Sequence, residues 1–222
     1  MMRLNQSNNA SIDIPDGFIV FISGVPGVGK TTISYELLKR FNEFRIIEET
    51  DLIREVIRGY NSLLEERFPK YSYDILNEIK ITDHTKLLSF DEAKQQCELM
   101  YSSFEYIIQR QKRKGISSII NGVHIIPETL NGLAENQNVI YINLYINSEQ
   151  ALYNRLLKKN PKSYMINHVP FIFQTNIDLY TSTKKLSNEY PYLFNNIDIT
   201  ELSIDDTIHT ITELIHSLLN KN

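Results

Sequence analysis

The chain contains one cysteine, Cys97, so no disulfide can close within it and no cysteine cluster can hold a metal. That usage fits a reducing compartment, and the helical neighbours of Cys97 mark it as a small buried side chain. No run of 18 apolar residues occurs, which excludes a membrane-spanning helix, and residues 1–17 lack the apolar core of a signal peptide. A basic surplus is missing too. With 23 Lys+Arg against 27 Asp+Glu and a net charge of -4, nucleic acid is a poor main partner. Repeats, linkers and low-complexity tracts are absent. The expectation is a cytoplasmic protein without a membrane partner. Residues 1–15 read as a flexible extension, and 16–222 as a single domain, the 222 residues being enough for one generous α/β core.

What is present concentrates at residues 17–41, GFIVFISGVPGVGKTTISYELLKRF. The run 18–22 is continuous and β-branched or aromatic, as in a strand buried on both faces. After the glycines, Ile33, Leu37 and Phe41 recur every four residues and give a helix one apolar face. Between them lies the spacing G-x-x-x-x-G-K-[ST], with Gly24, Gly29, Lys30 and Thr31 at the defining positions. Glycine is needed there because the backbone must curl so that successive N–H groups face phosphate oxygens. The whole loop, Gly24, Val25, Pro26, Gly27, Val28, Gly29, Lys30, Thr31 and Thr32, is therefore the candidate nucleotide-binding segment. Lys30 suits the β- and γ-phosphates, and the Thr31 hydroxyl suits a magnesium shell.

Further along, short runs at 44–48, 116–121 and 138–146 read as strands, with a fifth inside PYLFNNIDIT at 191–200. Ser89 and Glu92 have capping-box spacing ahead of a helix whose face carries Ala93, Cys97, Met100, Phe104, Ile107 and Gln111, and Gly115 suits its end. A helix begun by Ser148 stops at Pro161, and a last helix aligns Ile204, Ile208, Ile211, Ile215 and Leu218. Strands alternating with helices predict a three-layer α/β fold. Its parallel five-stranded sheet is covered on both faces, with a helical insertion over about 52–114 and a lid over about 155–175.

A phosphate loop alone does not name a reaction. A guanine-specific hydrolase needs N-K-x-D, and the Asn220-Lys221 pair at the end of the chain makes no pocket. Motor-type ATPases need a strand ending in Asp or Glu, whereas these strands end in Asn121 and Asn147. A small-molecule kinase needs a carboxylate near the γ-phosphate, cations around the transferred group and closure against water. Asp51 follows the second strand, at the sheet end where open α/β sheets bind ligands, and Arg54 and Arg58 follow at a spacing of four. Arg155, Lys158, Lys159 and Lys162 are placed as lid cations.

The blocks GVPGVGKTTIS at 24–34, TDLIREVIR at 50–58 and 90–127 ending in GVHIIP resemble the 2-phosphoglycerate kinases, within the nucleoside-monophosphate-kinase-like P-loop group. The resemblance implies ATP and Mg²⁺ as cofactors and a small phosphorylated acid as acceptor. It implies Lys30, Asp51 and Arg155 as catalytic residues, and Asp51, Arg54, Gly122 and His124 as the acceptor side, to which the helical spacing adds Arg58. Thr31 and Asp51 are then the metal-side residues. Two departures from the family pattern are visible: Asn121 replaces an acidic residue just before GVH, and the lid is rich in lysine rather than arginine. Read from the residues alone, two alternatives stay open. One is a P-loop kinase of another acceptor, such as a nucleoside, sugar, antibiotic or nucleic-acid end. The other is a nucleotide-binding module without transfer. The oligomeric state is open.

Overall fold

The computed structural model describes residues 13–67, 87–134 and 138–221. Five strands, β1 (Ile19–Ser23), β2 (Phe44–Glu49), β3 (Ser117–Gly122), β4 (Val139–Tyr145) and β5 (Phe194–Asp198), form one sheet in the order β2-β3-β1-β4-β5. Every pairing is parallel. Around it pack α1 (Lys30–Arg40), α2 (Thr50–Arg67), α3 (Phe90–Lys114), α4 (Pro127–Ala134), α5 (Glu149–Lys159), α6 (Val169–Glu189) and α7 (Ile204–Leu219). A short 3-10 helix, Tyr164–His168, joins α5 to α6.

The central strand explains the layering. All five residues of β1 are buried, and their side chains alternate between two cores because successive Cβ atoms leave opposite faces. Val20 and Ile22 pack with Ile33 and Leu37 of α1 and Ile211 and Ile215 of α7. Ile19 and Phe21 pack with Met100 and Phe104 of α3 and Leu179 of α6. Phe21 and Phe104 meet edge to face with centroids 6.2 Å apart. The five-stranded parallel sheet with helices on both faces is the fold that the sequence implied.

The caps follow the expected chemistry. Ser89 and Glu92 form the capping box of α3, and Gly115 closes it with φ 61. Ser148 caps α5, whose C-terminal cap is Asn160. Two expected stripes are corrected. On α3 the fully buried position is Ile108, while Ile107 is half-buried. The buried set is Ala93, Gln96, Cys97, Met100, Phe104, Ile108 and Gln111, and Ile107, on the edge of that face, packs only partly against the core. On α7, Ile204 is 47% exposed because it occupies the first position after the Ser203 cap, ahead of the stripe that meets the sheet.

The described part of the 52–114 segment is helical except at 87–89, which lead into α3. Its second half, α3, is a wall of the core. Residues 68–86 of that expected insertion, and nearly all of the expected extension over 1–15, lie outside the described residues. No helix among the described residues is long and apolar enough to cross a membrane.

Candidate active site

The loop between β1 and α1 has the shape of an anion cradle. Gly24, Gly27 and Gly29 carry φ of 142, 92 and 93, in the left-handed half of backbone space. At Gly24 packing makes the same demand: a Cβ would sit 2.6 Å from the Leu144 carbonyl oxygen and 2.8 Å from Val28 Cγ2. Gly29 leads directly into α1, whose first-turn N–H groups and positive dipole end face the same space. Lys30 folds back over the loop, its Nζ donating to the carbonyls of Gly24 at 2.8 Å and Val25 at 3.0 Å. Burial lowers the ammonium pKa to about 8, and the nearby Lys159 adds to this while Asp51 and Glu49 oppose it. A cation desolvated in this way gains from an incoming anion. Thr31 and Thr32 are exposed on the first turn of α1.

Asn121 has a structural partner. Its Nδ2 donates to Ser34 Oγ at 2.9 Å, and Ser34 in turn donates to the Lys30 carbonyl at 2.9 Å, so the end of β3 is tied to the first turns of α1.

A second construction stands beside the loop. The turn after β3 is held from two strands, because Ser23 Oγ and Tyr141 Oη both donate to the Ile125 carbonyl, at 2.7 and 3.0 Å. That anchoring fixes His124, which is fully buried with its Nδ1 3.0 Å from Thr50 Oγ1. Burial pushes the imidazole pKa down to about 4, so the ring is neutral at physiological pH. Thr50 itself lies across Gly122, where a Cβ would come within 1.7 Å of Thr50 Oγ1. The TD and GVH elements therefore interlock, and α2 starts at a fixed height above the sheet end.

From that start Asp51 projects into solvent, its Oδ1 3.5 Å from Arg54 Nη2 and 3.9 Å from His124 Nδ1. Arg54 is 6% exposed. A cleft of about 750 Å³, part of it open to solvent, runs from Gly24, Val25 and Pro26 past Asp51 and Arg54 to the start of α3 and the body of α6. Tyr164 and Met165 of the 3-10 helix line it as well.

These residues thus gather the loop, Lys30, Asp51, Arg54, Gly122 and His124 at one sheet end. Two others stand apart. Arg58 is turned to Glu55, its Nη1 at 3.1 and 3.2 Å from the two carboxylate oxygens. Arg155 donates to the carbonyls of Ile199 and Thr200, which ties α5 to the loop after β5. Cys97 is buried with its thiol pushed up to about 12, as an inert core residue should be.

No family model matches the chain. Curated relatives do. A 2-phosphoglycerate kinase of Methanococcus vannielii is 28% identical over 211 residues, covering 89% of this chain and 64% of the relative. That of Pyrococcus horikoshii is 28% identical over 205 residues, covering 88% and 63%. The chain is similar to archaeal 2-phosphoglycerate kinases. It spans a little under two thirds of the length of these relatives. A gluconokinase structure from Sinorhizobium meliloti superimposes with a TM-score of 0.56 at 13% identity, over 92% of this chain and 95% of that one, and shows the same fold.

The residues present fit ATP with magnesium. The glycine cradle, the desolvated Lys30 and the open end of α1 make a site for an anion. Magnesium keeps several waters and substrate phosphate oxygens in its shell, so one hydroxyl such as Thr31 and one carboxylate such as Asp51 suffice on the protein side. Four supporting residues have roles that no local pattern reports: Ser23, Ser34, Thr50 and Tyr141 form hydrogen bonds with residues 16 to 102 positions away in the chain.

Proposed function

We propose that this chain is an ATP- and magnesium-dependent phosphotransferase acting on the hydroxyl of a small anionic metabolite. 2-Phosphoglycerate, named for its relatives, is the first acceptor to test. The observation that carries the reading is the convergence of the glycine cradle with Lys30, the carboxylate of Asp51 and a cleft holding the buried Arg54.

Bound MgATP supplies the phosphoryl group and a metal charge on the departing diphosphate. The loop from Gly24 to Thr32 holds the triphosphate through its N–H groups, and Lys30 neutralises the γ-oxygens. Asp51 orients the acceptor hydroxyl and takes its proton as the new O–P bond forms and ADP leaves with the electron pair of the broken P–O bond. The proton then passes to water. Arg54 binds the anionic group of the acceptor, with Arg58 at the rim. His124 and Gly122, through Thr50, hold Asp51 and Arg54 at the height the reaction needs. Arg155 belongs to the nucleotide side, and the lid over about 155–175 excludes water when closed.

The test is ADP release from MgATP with 2-phosphoglycerate and a panel of other small hydroxy compounds, with Lys30→Ala as the blank. Acceptor-dependent ADP release in the parent, absent from the variant, supports the reading. ATP protection against heating with no acceptor-dependent release would replace it with a binding module.

A further inference from the structure

We infer that Glu49, the last residue of β2, is a second metal-side carboxylate, which holds bound magnesium through the metal's coordinated waters and leaves Asp51 to the acceptor hydroxyl. The inference rests on the phosphotransferase reading and divides the work of its two carboxylates.

Three observations point this way. First, the strand aims Glu49 at the phosphate loop. Side chains alternate along β2: Ile47 packs on the core that holds α1, and Glu48, on the opposite face, accepts from Gln111 of α3 at 3.4 Å. Glu49 therefore returns to the α1 face. Its register partner on β3 is Asn121, whose Nδ2 reaches Ser34 of α1 at 2.9 Å, one turn beyond Lys30.

Second, Glu49 is close enough to Lys30 to act on its charge, yet does not pair with it. Burial lowers the Lys30 pKa, and Asp51, with Glu49 acting less strongly, opposes the shift. The Lys30 Nζ donates to the carbonyls of Gly24 and Val25 instead. Among the described residues the half-buried Glu49 carboxylate closes no hydrogen bond or ion pair. A carboxylate partly withdrawn from water and unpaired is costly until a cation or its waters meet it.

Third, Asp51 is engaged on the acceptor side, where its Oδ1 lies 3.5 Å from Arg54 Nη2 and 3.9 Å from His124 Nδ1. A carboxylate beside a divalent cation is a weaker base, so proton acceptance and metal retention are better divided between two groups. Magnesium, which keeps most of its waters, needs one or two carboxylates besides the phosphates.

The test reads the metal rather than turnover. Binding of a non-hydrolysable ATP analogue to the full chain is measured with EDTA and with magnesium, and manganese held in the analogue complex is titrated by electron paramagnetic resonance. The variant is the near-isosteric Glu49→Gln. Glu48→Gln, which removes the same charge from the face toward α3, is the control for charge acting through space. Magnesium should tighten analogue binding in the parent and in the control. In Glu49→Gln that tightening should shrink at least about tenfold, and manganese should bind more weakly by a similar factor, the scale for groups that hold a metal's outer contacts. Analogue binding in EDTA should be unchanged or tighter in Glu49→Gln, because a like charge has left the triphosphate, and this also shows that the variant is folded. Equal magnesium tightening in the two variants, or parent-like manganese affinity in Glu49→Gln, would overturn the inference and leave the phosphotransferase reading standing. No binding of the analogue by the parent under either condition would overturn both.

Discussion

Gly122→Ala is the substitution whose consequence is best determined by the geometry. Gly122 does not have a positive φ, so alanine is compatible with its backbone. The difficulty is the approach of Thr50, whose Oγ1, Cβ and Cγ2 would lie 1.7, 2.7 and 2.9 Å from the new Cβ. Thr50 must move, and it is the first residue of α2 and the partner of His124. Overpacking of this kind costs about 1–3 kcal/mol. Losing the Thr50 bond would leave both ring nitrogens of His124 buried without partners, since Nε2 has none now, at about 1–3 kcal/mol more. A total near 3 kcal/mol corresponds to roughly 10 °C in Tm for a chain of this size. Equilibrium urea unfolding measures it, and the control is a double-mutant cycle with Thr50→Gly, which removes all three clashing atoms. In that background Gly122→Ala should cost under about 1 kcal/mol, a coupling of roughly 2 kcal/mol. A parent-like midpoint for Gly122→Ala, or additivity in the cycle, would refute the interlock.

Three further outcomes are expected. Asp51→Asn keeps the thermal protection given by ATP without magnesium and lowers kcat at least about tenfold, because it removes the proposed proton acceptor and leaves the glycine cradle intact. The His124 pKa is held near 4 against an ordinary 6.5, so the unfolded chain binds the proton more tightly between those values, and stability falls as pH drops through that window. Between pH 7.5 and 5 this contribution is about 2 kcal/mol, and urea midpoints for His124→Gln should show a correspondingly smaller acid loss. Replacing Asn121 with aspartate places a carboxylate against Ser34 Oγ, which can reverse its donation. The variant should fold, and losing the Ser34 bond to the Lys30 carbonyl should shift Tm by no more than a few degrees.

The elements that could be read from the sequence are those whose signal is local. The central strands β1 and β4 show as nearly continuous apolar runs, and α3 announces itself by Ser89, Glu92 and Gly115. The phosphate loop is legible for the same reason, since its glycines and Lys30 are adjacent. By contrast α6, 21 residues long, carries no regular helical stripe in the sequence. Its buried stripe mixes Val169, Ile172, Leu179 and Leu186 with Asn176, Ser182 and Thr183, so the apolar period is broken. Two of those polar residues are compatible with burial because of tertiary or backbone bonds: Asn176 exchanges hydrogen bonds with both backbone groups of Ile146, and Thr183 donates to Leu179. The proposed acceptor side is half legible. Asp51 and Arg54 follow a strand end and can be placed from that, whereas the apolar walls of the cleft come from the start of α3, the turn after β3 and α6, segments remote in sequence. The contacts of Arg155 with the loop after β5 likewise depend on where a distant strand ends.

The central claim is transfer of a phosphoryl group to an acceptor rather than binding or hydrolysis of the nucleotide. ATP labelled in the γ-phosphate, incubated with magnesium, the full chain and the acceptor panel, tests it most directly. Label on an organic acceptor, lost in both Lys30→Ala and Asp51→Asn, is the predicted result. Label found only in inorganic phosphate, or left wholly on ATP with every acceptor, would contradict it.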